Sequence, residues 1–200
     1  MLFNMDILHT DDTRTRVLKS AILLFNQYGP MVPVSKISET AGVAAGTPFK
    51  HFKTKEELLL AAYHYARLSV FRVVKEDPRN EPTTERLIKA IIRGVIRWAA
   101  LMPDEHEYVE KYEDSVCYNY FSPAFHDLYE GIVEELGIWE RIREDVRPDI
   151  PKEIISRIIS VQCSVFIRYM SYHNLKPDTP QSDALIESST DSIWRSIERK

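Results

Sequence analysis

The chain has only two cysteines in 200 residues, Cys117 and Cys163. They are too far apart in sequence for a paired metal site, so reduced packing residues are expected. Glycine is also scarce, at six residues, and alternating β-branched runs are few, which argues against a sheet-based fold. No apolar run approaches the roughly 18 residues a membrane span needs, and the N-terminus lacks a basic segment followed by an apolar one. A cytoplasmic protein is expected.

Catalytic signatures are missing too. There is no P-loop, no Gly-x-Ser-x-Gly and no dinucleotide fingerprint. Di-iron bundles need Glu-x-x-His, but the residues three before His64, His106, His126 and His173 are Ala61, Pro103, Pro123 and Met170. His106-Glu107 lacks a second histidine four residues after the first, so the zincin spacing fails. The acidic run Asp104, Glu105, Glu107, Glu110 and Glu113 reads as a solvated face. The expectation is a protein that is not an enzyme, with no cofactor and no metal.

Hydrophobic residues make up 44% of the chain and charged residues 28%, ordinary values for a soluble domain with a substantial core. Apolar positions recur at helical spacing through most of the chain, giving an all-α class with about nine helices. The net charge of -4 hides an uneven distribution. Between residues 13 and 55, Arg14, Arg16, Lys19, Lys36, Lys50, Lys53 and Lys55 are opposed only by Glu39. The remainder carries 19 basic against 29 acidic residues. A basic head attracts phosphates while an acidic body is repelled by them, which orients the molecule toward a duplex.

Residues Met1 to Asp11 have no clear period. Asp12 or Thr13 caps a first helix to about Tyr28, with Val17, Leu18, Ala21, Leu24, Phe25 and Tyr28 on one face, and Gly29-Pro30 stops it. A second helix from about Val34 to Ala41 buries Ile37 and Ala41. Gly42 supplies a tight turn, and a third helix led by the small residues Ala45 and Gly46 follows. Val43 and Phe52 close this small core. Thr54-Lys55-Glu56-Glu57 has the form of a capping box, so a long helix begins at Lys55 and continues to about Asp77-Pro78. Later helices begin near Thr83 or Thr84, Pro103, Ser122-Pro123, Lys152 and Ser182. Arg147 to Pro151 reads as a loop.

A short helix, a turn at Gly42 and a second short helix with small leading residues form the shape that enters a major groove. Arg16, Leu18, Ala21, Leu24, Phe25 and Gly29, followed by Val34, Ile37, Ala41, Gly42, Val43, Gly46, Thr47, His51, Phe52, Lys55, Glu56 and Leu58, match the DNA-binding head of the tetracycline-repressor (TetR) family. By this resemblance residues 1–54 are a three-helix, helix-turn-helix DNA-binding domain. Residues 55–200 are then a larger antiparallel helical domain for effector binding and dimerisation. Three positions depart from the pattern. Ala44 stands where a capping Ser is usual, Pro48 falls inside the expected third helix, and Phe49 replaces a Tyr whose hydroxyl reaches a phosphate in relatives.

The resemblance and the residue chemistry nominate Ser35, Lys36, Ala45, Gly46, Thr47, Phe49, Lys50, His51, Lys53 and Lys55 for DNA contact. Thr47 is suited to a thymine methyl or a phosphate and Lys50 to guanine O6/N7, while Ser35 and Lys36 fit the backbone. The body is rich in aromatics, and Trp98, Tyr112, Phe121, Phe125 and Phe166 are the ligand-pocket candidates. The implied partners are an operator duplex, a second copy docked through the last two helices, and a small-molecule effector. In the final helix Leu185, Ile186, Ile193, Trp194 and Ile197 form an apolar stripe expected to be partly exposed in a monomer. The function implied is a ligand-responsive regulator, by the family's habit a repressor released by an apolar or aromatic effector. Two alternatives are an interaction module of the same fold with weakened DNA readout and an all-α enzyme.

Overall fold

A computed structural model of the chain describes residues 12–73, 80–113, 138–177 and 179–199. The expectations for Met1 to Asp11, Cys117, Phe121, Phe125 and the helix start at Ser122-Pro123 lie outside the described residues, Asp11 included. Nine α-helices and no strand are present among the described residues: α1 (Thr13–Tyr28), α2 (Val34–Thr40), α3 (Pro48–His51), α4 (Lys55–Leu68), α5 (Thr84–Leu101), α6 (Pro103–Glu113), α7 (Ile138–Ile142), α8 (Lys152–Tyr172) and α9 (Pro180–Ile197). Helix α4 ends earlier than its apolar period suggests and passes into a 3-10 turn at Ser69–Arg72. The described residues divide into two compact units, one holding 12–72 and 102–113, the other 73, 80–101, 138–177 and 179–199.

In the first unit, α1 is the central element and packs against α2, α3, α4 and α6. Its buried face carries Val17, Leu18, Ala21, Leu24 and Phe25. Tyr28 was expected to continue that face but is 58% exposed, because it stands at the last position of α1, and the Lys36 ammonium sits 3.9 Å over its ring. Helix α6 is bound into this unit by aromatic and polar contacts. The ring of Tyr108, almost wholly buried, stacks on Phe25 at 6.1 Å, and its hydroxyl donates to the Leu59 carbonyl at 3.2 Å. Asn26 Nδ2 donates to the Asp104 carbonyl at 2.8 Å, and Lys111 Nζ donates to the Asn26 carbonyl at 2.7 Å. Lys111 thereby satisfies one of the carbonyls that the last turn of α1 leaves without a helical partner.

In the second unit, α5, α8 and α9 pack on one another around Leu87, Ile88, Ile92, Ile96, Ile155, Cys163, Met170, Ile186, Ile193 and Ile197. The polar edge of α5 is tied to α9 through Lys89, which pairs with Glu85 and Asp191, and through Arg93, 2.9 Å from Glu187. The Asp191 hydrogen bond raises the Lys89 pKa above its ordinary value, and the same contact holds the Asp191 carboxyl low. A reciprocal box starts α9, with Ser182 N donating to Thr179 Oγ1 and Thr179 N to Ser182 Oγ. Burial pushes the Cys163 thiol up to about 12, as suits an inert packing residue.

The last two helices differ from expectation. Ile186, Ile193 and Ile197 of α9 are buried inside this unit, and Leu185 and Trp194 are half-buried against the same core. The exposed apolar stripe lies on α8 instead, at Ile154, Val161, Val165, Tyr169 and Tyr172. Spacings of seven, four, four and three residues place these five side chains on one face.

Candidate DNA-binding surface

The surface is built from the end of α1 to the start of α4. Asp12 Oδ1 accepts from Thr15 N at 2.7 Å and so caps α1. Helix α2 ends in a Schellman motif: Gly42 has a φ of 65°, Gly42 N donates to the Glu39 carbonyl, and Val43 N donates to the Ser38 carbonyl. Glycine is needed there for its left-handed backbone, which turns the chain sharply into the next segment.

Residues 44–47 form a hydrogen-bonded turn, with Thr47 N donating to the Ala44 carbonyl at 2.8 Å. The helix proper begins only at Pro48, so Ala45 and Gly46 precede it rather than lead it. Pro48 therefore does not interrupt a helix. It occupies the first turn, where a missing N–H costs nothing and a fixed φ favours the start. Thr47 already has helical dihedrals of -64° and -41°, so the turn and α3 share one right-handed course.

Three contacts hold this segment on the scaffold. Ser38, almost fully buried, donates through Oγ to the Val34 carbonyl at 3.1 Å and the Ala45 carbonyl at 3.2 Å, joining α2 to the turn. Phe52 is buried, and the Arg14 guanidinium lies 5.3 Å over its ring. Thr54 Oγ1 accepts from Glu57 N at 3.1 Å, while Glu57 Oε2 accepts from Lys53 N at 2.7 Å. The second half of the expected box thus lands one residue before the N-cap. Hydrogen bonding by its own backbone N–H, then by Thr54, holds the exposed Glu56 carboxyl below its ordinary range.

Ser35, Lys36, Ala45, Gly46, Phe49, Lys50, His51 and Lys53 are exposed, and Thr47 and Lys55 are half-buried. Lys50 and His51 lie in the last turn of α3, where positive charge suits the helix dipole. Lys36 is held over Tyr28, on the flank of α2 away from the residue, Ser38, that touches the turn. Sequence reading passed over Ser38 and Arg14 as support. A serine on the apolar side of α2 and an arginine at the head of α1 were the only available signals.

The ligand-pocket candidates are less gathered. Tyr112 is buried in the first unit, its ring 4.5 Å from Tyr108. Trp98 is buried and Phe166 half-buried in the second. Two open cavities of about 570 and 560 Å³ lie in the second unit, one beside Trp194, Glu144 and Glu198, the other beside Arg86, Lys89 and Arg93. Neither is lined by Trp98 or Phe166. Among the described residues no group of three His, Cys, Asp or Glu could hold a metal ion, and no helix is long and apolar enough to cross a membrane.

A three-helix head with a glycine turn, built into an all-α chain, defines a helix-turn-helix protein. Residues 17–62 match the family model described as bacterial regulatory proteins, tetR family. Over these residues the chain is similar to the TetR-family DNA-binding head, and its described fold is that of solved TetR-family structures. It is 31% identical over 85 residues to the uncharacterized HTH-type transcriptional regulator YerO of Bacillus subtilis (strain 168), a match covering 40% of this chain and 29% of that relative. A TetR family transcription regulator from Marinobacter aquaeolei VT8 superposes with a TM-score of 0.78 at 16% identity, covering 94% of this chain and 96% of that one. The transcriptional regulator FadR from Bacillus subtilis, solved in complex with stearoyl-CoA, superposes with a TM-score of 0.60 at 16% identity, covering 90% and 96%.

Proposed function

We propose that the chain is a ligand-responsive, DNA-binding transcriptional regulator that represses by occupying its operator as a homodimer and is released by a small apolar or aromatic effector. The carrying observation is the exposed set Ser35, Ala45, Gly46, Phe49, Lys50, His51 and Lys53 around a turn pinned by Ser38. A rigid scaffold presenting side chains of positive charge beside small ones suits a groove that demands close approach and phosphate neutralisation. In this reading Ser35, Lys36, Lys53 and Lys55 meet the DNA backbone, and residues 45–51 meet the groove.

The dimer forms through α8 and α9. The five exposed apolar side chains of α8 supply the attraction, and the outward polar positions of α9 form the rim. Trp98, Tyr112, Phe121, Phe125 and Phe166 contribute to effector binding, and FadR, a protein of this fold solved with stearoyl-CoA, supports an apolar class of ligand. A coupling of about 1 to 3 kcal/mol between effector and operator suffices for a usable switch.

The test is selection of a duplex from a randomised pool by the full chain, followed by gel shifts across a salt series. Enrichment of a two-fold-symmetric site whose affinity falls steeply with salt is expected. Retention of no sequence, or binding indifferent to salt, removes the reading.

A further inference from the structure

The outward face of the recognition segment has an unusual composition. Backbone bonds from Thr47 N to the Ala44 carbonyl, Lys50 N to the Thr47 carbonyl and Phe52 N to the Pro48 carbonyl fix the turn over residues 44–47 and the short helix it leads into. Pro48 and Phe52 are buried and mark its inner side. On the outer side Ala45 and Gly46 of the turn and Phe49 and Lys50 of α3 are all exposed. Lys50 alone of these has a side chain that forms hydrogen bonds, and it only donates. Polar exchange with base edges from these four positions therefore rests on Lys50, flanked by the exposed His51 and the half-buried Thr47.

Two further details indicate what it meets. A Cβ added at Gly46 would touch nothing within 4 Å, and Gly46 lacks the positive φ of Gly29 and Gly42, so nothing among the described residues requires a glycine there. The open space there leaves room for close approach by something outside the chain. Beside it the Phe49 ring is 55% exposed at the tip of a basic head, and it carries no hydroxyl with which to reach a phosphate. The major-groove edge presents one apolar group, the C5-methyl of thymine.

We infer that Phe49, with the exposed Ala45 of the same segment, is a specificity-determining residue that reads thymine C5-methyl groups in the major groove by apolar contact. Lys50 then anchors the register at a guanine or a phosphate, and the backbone at Gly46 admits the methyl to close range. The inference rests on the DNA-binding reading above and adds the chemistry of its specificity.

The experiment uses the site that the full chain selects from a randomised duplex pool. Each thymine is replaced singly by deoxyuridine, which removes only the methyl, and affinities are measured by fluorescence anisotropy for the wild type, Phe49→Ala and Phe49→Leu. At one or two positions per half-site the wild type is expected to lose about fourfold per methyl, the scale of one buried carbon. Phe49→Ala should bind the thymine site about as the wild type binds the deoxyuridine site, and should be indifferent to the replacement. Phe49→Leu should keep part of the discrimination. Because Phe49 is exposed, unchanged helicity and melting are expected for both variants. A selected half-site without thymine, a wild type indifferent to every replacement, or a Phe49→Ala chain that keeps full methyl sensitivity overturns the inference. Failure to enrich any sequence would instead overturn the DNA-binding reading, and this inference with it.

Discussion

Of the surfaces of this chain that leave large apolar side chains in water, two differ most in what surrounds them. At the tip of the head a single ring, Phe49, stands beside Lys50, His51 and Lys53. On α8 five apolar side chains, Ile154, Val161, Val165, Tyr169 and Tyr172, follow one another along one face, with the exposed Arg157 and Arg168 at its edge. An isolated apolar group in a positive field suits a polyanion that offers a few methyl groups. A continuous apolar stripe suits another apolar surface, and the most available one is the same helix in a second copy. Exposure alone says little; the electrostatic setting separates the two uses.

Putting charge into the α8 stripe should erase that difference and have the largest effect. The double substitution Val161→Glu with Val165→Glu places carboxylates at two exposed positions, so the subunit should still fold while the dimer fails. Sedimentation should show a monomer. Operator affinity should fall by about 100-fold or more, because two linked heads gain that much over one. A dimer of wild-type stability would move the interface elsewhere.

The opposite alteration, at the head, should be smaller and local. Lys50→Ala is expected to weaken binding to the selected site by about 1 to 3 kcal/mol while leaving the dimer intact. Titration against the site and a scrambled duplex separates the two roles open to Lys50. A loss confined to the selected site indicates a base contact. An equal loss on both, with a salt slope reduced by about 1, indicates a phosphate contact.

The two surfaces were not equally legible in the sequence. The head was, because its turn imposes local demands: Gly42 for a left-handed backbone, Thr54 for a cap, apolar spacing at Ile37 and Phe52. Its third helix was misplaced by the same local chemistry. A family pattern puts the helix cap at residue 44, with Ala45 and Gly46 leading the helix, whereas proline belongs in a first turn, and Pro48 begins the helix here. The α8 face was hidden because periodicity records that a helix has an apolar side, not what covers it. The stripes of α8 and α9 look alike in sequence, yet Ile193 is buried within its own unit and Val165 is 62% exposed. Tyr28 misled similarly, continuing the period of α1 at a position that leaves its ring largely in water.

The smallest expected effect distinguishes the units by their response to acid. Helix α4 carries His64, whose Nε2 is buried without a hydrogen-bond partner among the described residues and whose pKa is depressed by desolvation. A histidine held neutral in the fold is protonated more readily when unfolded. The unfolded state therefore binds more protons in the window below the ordinary value of 6.5, down to the depressed folded value. Stability contributed by neutral His64 is full above that window and declines as pH falls through it. In the second unit, the depressed Asp191 carboxyl makes its contribution above its ordinary value of 3.8 and loses it only at more acidic pH, as the folded group protonates. Urea unfolding of the wild type between pH 7.5 and 5 should therefore show a fall in stability that His64→Leu flattens, with the midpoint at pH 7.5 little changed. An equal fall in the variant would assign the acid sensitivity to groups other than His64 and remove this distinction between the two units.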